Sequence, residues 1–200
     1  MTPQESNAAD EVASRAGELL AEVRSATGIT VLTGGQTGVD TLAARAALSV
    51  GLQVHVVFPG GLRQEDGPLT AERRSDLHGA KLHELASTSF EQRTWTCVSL
   101  ADAVLLIDPA GGDGCRETVR AADRHERPLL DLTPRLTSAG GSARPGDVGS
   151  AVRTFIRENG TQVLMIAGCR GSLLAGRRDD QIAKLPSLLE EVAAGLAPPR

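Results

Sequence analysis

The stretch Ala103-Val104-Leu105-Leu106-Ile107 constrains this chain most. Five apolar residues in an unbroken run do not alternate between inside and outside. A strand built from them therefore has both faces covered, as in a parallel sheet flanked by helices. The rest of the chain supplies the alternation that such a sheet needs. Ile29 to Leu32, Gln53 to Phe58, Lys81 to Leu85, Pro128 to Leu132 and Gln162 to Ala167 read as further strands. Helices are expected over residues 11–26, capped by Asp10, and over 39–50, 89–99, 116–125, 147–159 and 179–194. The fold class expected is α/β: a doubly wound, mostly parallel sheet with helices on both faces.

Two hundred residues suit one domain. Residues 1–27 read as an N-terminal extension and helix, 28–195 as a single ligand-binding domain and 196–200 as a tail. Net charge is −4 and aromatics are 2% of the chain, so neither the basic face nor the stacking rings of a nucleic-acid binder are expected. Cys97, Cys115 and Cys169 are odd in number and lack a CxxC pair, so they read as reduced thiols, not as disulfides or a zinc site. The four histidines show no shared ligand spacing, and no metal role is assigned to them. No run approaches the ~20 apolar residues of a membrane span. Met1 to Asp10 is polar and has no signal-peptide core, so no membrane partner and a cytoplasmic location are expected.

In doubly wound sheets ligands bind beyond the carboxyl ends of the strands. Four unusual loops leave strand ends here, and they are expected to share one pocket. The first is Thr33-Gly34-Gly35-Gln36-Thr37-Gly38-Val39-Asp40. Gly34, Gly35 and Gly38 can bring backbone close to a ligand, with helix amides aimed at an anion; the competing reading is a turn that needs glycine only for its geometry. No Lys follows the last Gly, so this is not a Walker loop, nor is it GxGxxG. The second is Asp108 to Cys115, in which Gly111, Gly112, Asp113 and Gly114 precede a helix. Thr118 is expected on that helix's first turn, either meeting a ligand oxygen or capping. Cys115 is either a reactive thiol activated by the helix end or a small space-filling residue. The third loop is Gly168-Cys169-Arg170-Gly171-Ser172.

The fourth is a polar connection over residues 59–79, lid-like at 59–74. In it, Arg63 pairs with phosphate or is a solvated charge. Glu65 and Asp66 bind a donor-rich heterocycle edge, bind a metal, or form a solvated acidic turn. Asp40 at the helix start favours the dipole. Trp95 is read as core, and residues 133–147 as a flexible loop.

Gly34 to Asp40, Pro59 through Glu65-Asp66-Gly67-Pro68, Arg93-Thr94, Ala101-Asp102-Ala103, Gly111-Gly112 to Thr118 and Ala167-Gly168-Cys169-Arg170 resemble, in this order, the putative molybdenum cofactor carrier proteins of bacteria. The resemblance spans about residues 29–172. That family is similar to the lysine-decarboxylase-like phosphoribohydrolases and to the DNA-processing protein A fold. The resemblance implies a Rossmann-like sheet. It also implies a pocket for a phosphorylated small molecule, the molybdenum cofactor (molybdopterin) or a nucleotide-like ligand, without a tightly bound protein-ligated metal. A homodimer or homotetramer is implied too. The ligand-binding residues it implies are Gly34, Gly35, Gln36, Thr37, Gly38, Asp40, Gly61, Arg63, Glu65, Asp66, Gly67, Arg93, Gly111, Gly112, Asp113, Gly114, Cys115 and Thr118. The chain departs from the family pattern at Trp95, which comes one residue early, at Cys97, near a family Asn, and at Gly171, where the family often has Glu.

The resemblance implies a carrier first. The alternatives are a phosphoribohydrolase cleaving nucleoside 5′-monophosphates and a sensor of a nucleotide-derived signal. The enzymes use an Arg before the fourth strand, matched by Arg93, and a Glu on the helix after the glycine turn. Counting from Gly111-Gly112 places that Glu at Thr118. Glu117 is one residue early, about 100° around the helix, and is expected to face away. No catalytic residue is therefore expected.

Overall fold

The computed structural model describes residues 17–24, 28–137, 147–175 and 180–198 of the 200-residue chain. Asp10, the start of the first helix and residues 138–146 of the expected flexible loop lie outside the described residues. Residues 17–23 form α1, followed by β1 (Thr30–Thr33), α2 (Val39–Ser49) and β2 (Gln53–Phe58). A short hairpin of β3 (Arg63–Gln64) and β4 (Gly67–Pro68) leads to α3 (Ala71–Asp76) and β5 (Lys81–Glu84). Then come α4 (Phe90–Leu100), β6 (Ala103–Ile107), α5 (Asp113–Arg124), β7 (Leu129–Asp131) and α6 (Thr133–Thr137). The chain closes with α7 (Asp147–Glu158), β8 (Val163–Gly168), α8 (Gly171–Leu174) and α9 (Asp180–Leu196).

Six strands form one parallel sheet in the order β5-β2-β1-β8-β6-β7. β1 and β6 are buried along their whole length, and β8 up to its last residue. Helices α2, α7 and α9 pack together on one face, α4 and α5 on the other, as a doubly wound α/β fold requires. In the usual order the fourth strand of such a sheet sits beside the first. Here the last strand, β8, takes that place. Asp102, just before β6, fixes it there by accepting the amides of Gln162 (3.0 Å) and Val163 (2.8 Å) and pairing with Arg24. Partial burial opposes ionisation of Asp102, but these amides and Arg24 outweigh it and hold the carboxyl below its usual range.

Three expectations need correction. Helix α5 starts at Asp113, not Arg116, because the chain turns helical directly after Gly112, its N-cap. Residues 59–79 are not a plain loop: they hold the hairpin and α3, whose Thr70 cap accepts the Arg73 amide at 3.3 Å. Residues 133–137 form a helix in which Pro134 stands in the first turn, where its missing N–H costs nothing. No helix among the described residues is long and apolar enough to cross a membrane.

Candidate functional site

The first glycine turn is filled by the protein itself. Gly35 (φ +72°) and Gly38 (φ +81°) take the left-handed conformations that favour glycine. A Cβ on Gly35 would lie 2.5 Å from the Phe58 ring, one on Gly38 2.5 Å from the Cys169 carbonyl oxygen, and one on Gly34 would overlap the Arg93 guanidinium. These glycines admit side chain and backbone from neighbouring elements where the sequence suggested a ligand. Three of its amides are also taken. Gln36 N donates to Asp40 Oδ2 (3.1 Å) and Val39 N to the Cys169 carbonyl (3.0 Å). Thr37 donates both its amide (3.3 Å) and its hydroxyl to the Glu65 carboxylate. Glu65 thus occupies the anion position at the start of α2. The β3–β4 hairpin holds it there: Glu65 N donates to Gln36 Oε1 (2.9 Å) and Gln64 Nε2 to the Gly35 carbonyl (2.8 Å). Asp66 faces away and pairs with Arg73, whose hydrogen bond keeps the exposed carboxyl below its usual range.

The second turn is different. Asp108 Oδ1 accepts the amides of Gly111 (2.9 Å) and Gly112 (3.1 Å), but those of Asp113 and Gly114 have no acceptor among the described residues. The start of α5 is therefore open, with two unpaired donors and the positive end of the helix dipole. Thr118 stands on the second turn, not the first, and its hydroxyl donates to the Gly114 carbonyl at 3.0 Å.

A cavity of about 330 Å³ lies between these turns, at the carboxyl ends of β1, β8 and β6. That is within the range of roughly 300–1,000 Å³ typical of small-molecule sites. Of the residues expected from sequence, Gln36, Asp40, Glu65, Arg93, Gly112, Asp113, Gly114, Cys115 and Thr118 line it. Gly34, Gly35, Thr37, Gly38 and Gly111 shape the turns without lining it, and Gly61, Arg63, Asp66 and Gly67 do not line it either. Arg63 is exposed on the hairpin. All four rim loops contribute at least one lining residue. Phe90, Glu91, Thr94, Met165, Ala167, Gly168, Cys169, Arg170 and Leu173 also line it, without having been singled out from the sequence as binding residues, as does Glu117. The i, i+3, i+4 spacing of Phe90, Arg93 and Thr94 on one helix face was the available signal for the α4 part.

Electrostatics tighten the picture. Arg93 is buried with Nη1 3.8 Å from Asp40 Oδ2. Burial outweighs this pairing and lifts the Asp40 carboxyl to about 6, so Asp40 is an internal partner of Arg93 and not simply a dipole-capping charge. Gln36 Nε2 and Arg93 Nε are buried and have no hydrogen-bond partner among the described residues. Glu117, expected to face away, lines the cavity together with Thr118: Gly114, Glu117 and Thr118 stand at i, i+3 and i+4 and share one face of α5. Its Oε1 accepts the indole N–H of the half-buried Trp95 (2.6 Å) and its Oε2 accepts from Arg120 (3.0 Å). Cys115 meets Cys169 and Asp108. The Cys115 thiol is pushed far up by its hydrogen bond with Cys169, by burial and by the Asp108 charge, which overturns the reading of a thiol activated by the helix end. Burial also raises Cys97, to about 11.

A family model, the circularly permutated YpsA SLOG family, matches residues 31–188. The chain belongs to that family. Among solved structures it is similar to a putative molybdenum carrier protein from Syntrophus aciditrophicus SB, with 21% identity and a TM-score of 0.65 over 86% of this chain and 96% of that one. At that identity the likeness speaks for the fold. AtPrR2 with NADP+ and (+)pinoresinol aligns at 16% identity and a TM-score of 0.41 over 87% of this chain and 67% of that chain, too distant to carry an argument. No protein of curated function matches.

Proposed function

We propose that this family member binds and carries a phosphorylated heterocycle, the molybdenum cofactor or a nucleotide-like relative. The observation that carries the reading is the open start of α5, where the amides of Asp113 and Gly114 have no acceptor among the described residues, at a cavity that Gln36 and Arg93 also line. Helix N-terminal amides together with a guanidinium favour a negatively charged ligand rich in acceptor oxygens. The phosphate belongs at the open start of α5. The Glu91 carboxylate, which also lines the cavity, suits the amino and ring N–H groups of a heterocycle. The similar Syntrophus protein is named for molybdenum carriage, which accords with this ligand class. Native mass spectrometry of the purified protein, with molybdenum and phosphorus analysis, tests the reading. One heterocycle per chain, lost in Arg93→Ala, is expected; a protein that takes up neither molybdopterin nor any nucleoside monophosphate refutes it.

A second reading, phosphoribohydrolase activity, is favoured by Arg93 and Glu117 lining one cavity. The carrier is preferred because both oxygens of Glu117 are already engaged, by Trp95 and Arg120. Incubation with AMP and chromatography for free base separates the two. Multiple turnovers abolished by both Arg93→Ala and Glu117→Gln replace the carrier with the enzyme.

A further inference from the structure

We propose that Asp108, Cys115 and Cys169 form a binding site for a soft divalent cation of the zinc class, with one coordination position open to the cavity. The three residues come from the end of β6, the first turn of α5 and the end of β8, and their donor atoms all lie within 4.8 Å of one another. Zinc bonds of about 2.3 Å to sulfur and about 2.0–2.2 Å to oxygen place tetrahedral donors roughly 3.5–4 Å apart, so the cluster needs only small adjustments, the hydrogen-bonded Cys169–Asp108 pair opening and the wider pairs closing. Three protein ligands with an open fourth position is the arrangement of cation sites that engage a further ligand. Cys115 and Cys169 both line the cavity, so that position faces it.

The surroundings hold the donors in place. Gly111 N and Gly112 N fix the Asp108 carboxylate, and Ala110 N donates to Cys169 Sγ at 3.3 Å. Amides directed at ligand atoms orient them and favour their ionised forms. In the metal-free cluster the Cys169 thiol donates to Asp108 Oδ1 at 2.7 Å, and no Lys or Arg pairs with Asp108 among the described residues. A plain hydrogen-bonded cluster leaves that carboxylate without a compensating cation; a divalent ion supplies one. Binding replaces the two thiol protons: two S–H bonds break, two metal–sulfur bonds form and two protons pass to buffer. No electron is transferred. The site does not depend on the ligand proposed for the cavity.

The test uses the full chain, reduced and metal-free, and Co²⁺ and Zn²⁺ as probes, with no heterocycle present. One Co²⁺ per chain is expected, with a thiolate charge-transfer band in the near ultraviolet that Zn²⁺ abolishes. Release of about two protons per ion is expected from calorimetry in buffers of different ionisation enthalpy. Cys115→Ser and Cys169→Ser should each weaken Zn²⁺ binding at least tenfold, and Cys97→Ser should not. In wild type, Zn²⁺ should slow alkylation of Cys115 and Cys169, read by peptide mass spectrometry, which keeps the test valid where a variant fails to fold. Absence of the charge-transfer band, Zn²⁺ binding that survives both substitutions, or unchanged alkylation of both cysteines overturns the proposal. Retained heterocycle binding in a protein that fails these tests would leave the carrier reading standing.

Discussion

Thr37 donates its backbone amide and its hydroxyl to one carboxylate, that of Glu65, 28 residues further along the chain. The hairpin thereby plugs the start of α2 with an internal anion. Glu65→Ala removes both bonds and the negative charge beside the cavity. Loss of charge-assisted hydrogen bonds from a half-buried group is expected to cost on the order of 1 kcal/mol of stability. Affinity for AMP is expected to rise severalfold, because a like charge has gone and donors are freed. Urea denaturation and calorimetric titration measure the two effects. An AMP affinity equal to wild type would mean that the plug and the ligand do not compete.

Gly35→Val is expected to impair the fold before it impairs binding. Its Cβ would stand 2.5 Å from the Phe58 ring, and φ of +72° is strained for a β-branched residue. Overpacking adds about 1–3 kcal/mol and the backbone strain a similar amount, a large share of a domain's stability. A thermal midpoint lowered by several degrees is the expected result. A variant as stable as wild type that no longer binds would restore the view that the position faces a ligand.

The sheet and its rim were legible because their signals are local. Ala103–Ile107 is one unbroken apolar run, Gln53–Phe58 is β-rich along its whole length, and each glycine turn abuts a strand and a helix. Position in the sheet is a different matter. Nothing within Val163–Gly168 says that it inserts between β1 and β6, because that pairing is set by partners far away in sequence. The same non-locality hid the site's finer parts. Thr37 and Glu65, Trp95 and Glu117, and Cys115 and Cys169 meet only after folding. Glu117 was misplaced for a smaller reason: the 100° step from Thr118 was taken to turn it away, whereas Gly114, Glu117 and Thr118 share one face at i, i+3 and i+4 spacing.

His55 and His83 supply a stability test outside the site. Their rings stack at 4.9 Å and His55 Nδ1 lies 2.8 Å from His83 Nε2. Burial, then repulsion from His83, lowers His55 to about 4, and burial lowers His83 in the same direction. An unfolded histidine titrates near 6.5, so the unfolded state binds the proton first. Stability is therefore full above about pH 6.5 and falls as pH drops towards 4. The upper part of this window, from about 6.5 to 5, lies above the range of the depressed carboxyls Glu22, Asp66 and Asp102. Asp40, with its carboxyl lifted to about 6, opposes this because its folded form takes up a proton first, so urea midpoints at pH 7, 6 and 5 should decline more, or rise less, in wild type than in His55→Leu. Equal slopes would remove the histidine pair as the cause.

Asp40 should make anion binding depend on pH. With its carboxyl lifted to about 6, Asp40 is mostly ionised at pH 7 and mostly neutral at pH 5.5. Ionised, it neutralises Arg93, whose Nη1 lies 3.8 Å away in the cavity wall. Protonation frees the guanidinium charge for an anionic ligand. Affinity should therefore rise as pH falls through 6. A phosphate monoester titrates near 6 itself and gains a proton over the same interval, which opposes the trend. A nucleotide phosphodiester keeps one charge throughout and is the better probe. Its affinity in wild type is expected to increase severalfold between pH 7 and 5.5. In Asp40→Asn, which keeps the shape but not the charge, it should be tighter at pH 7 and nearly flat. A wild-type profile as flat as that of Asp40→Asn would show that Arg93 does not meet the anion.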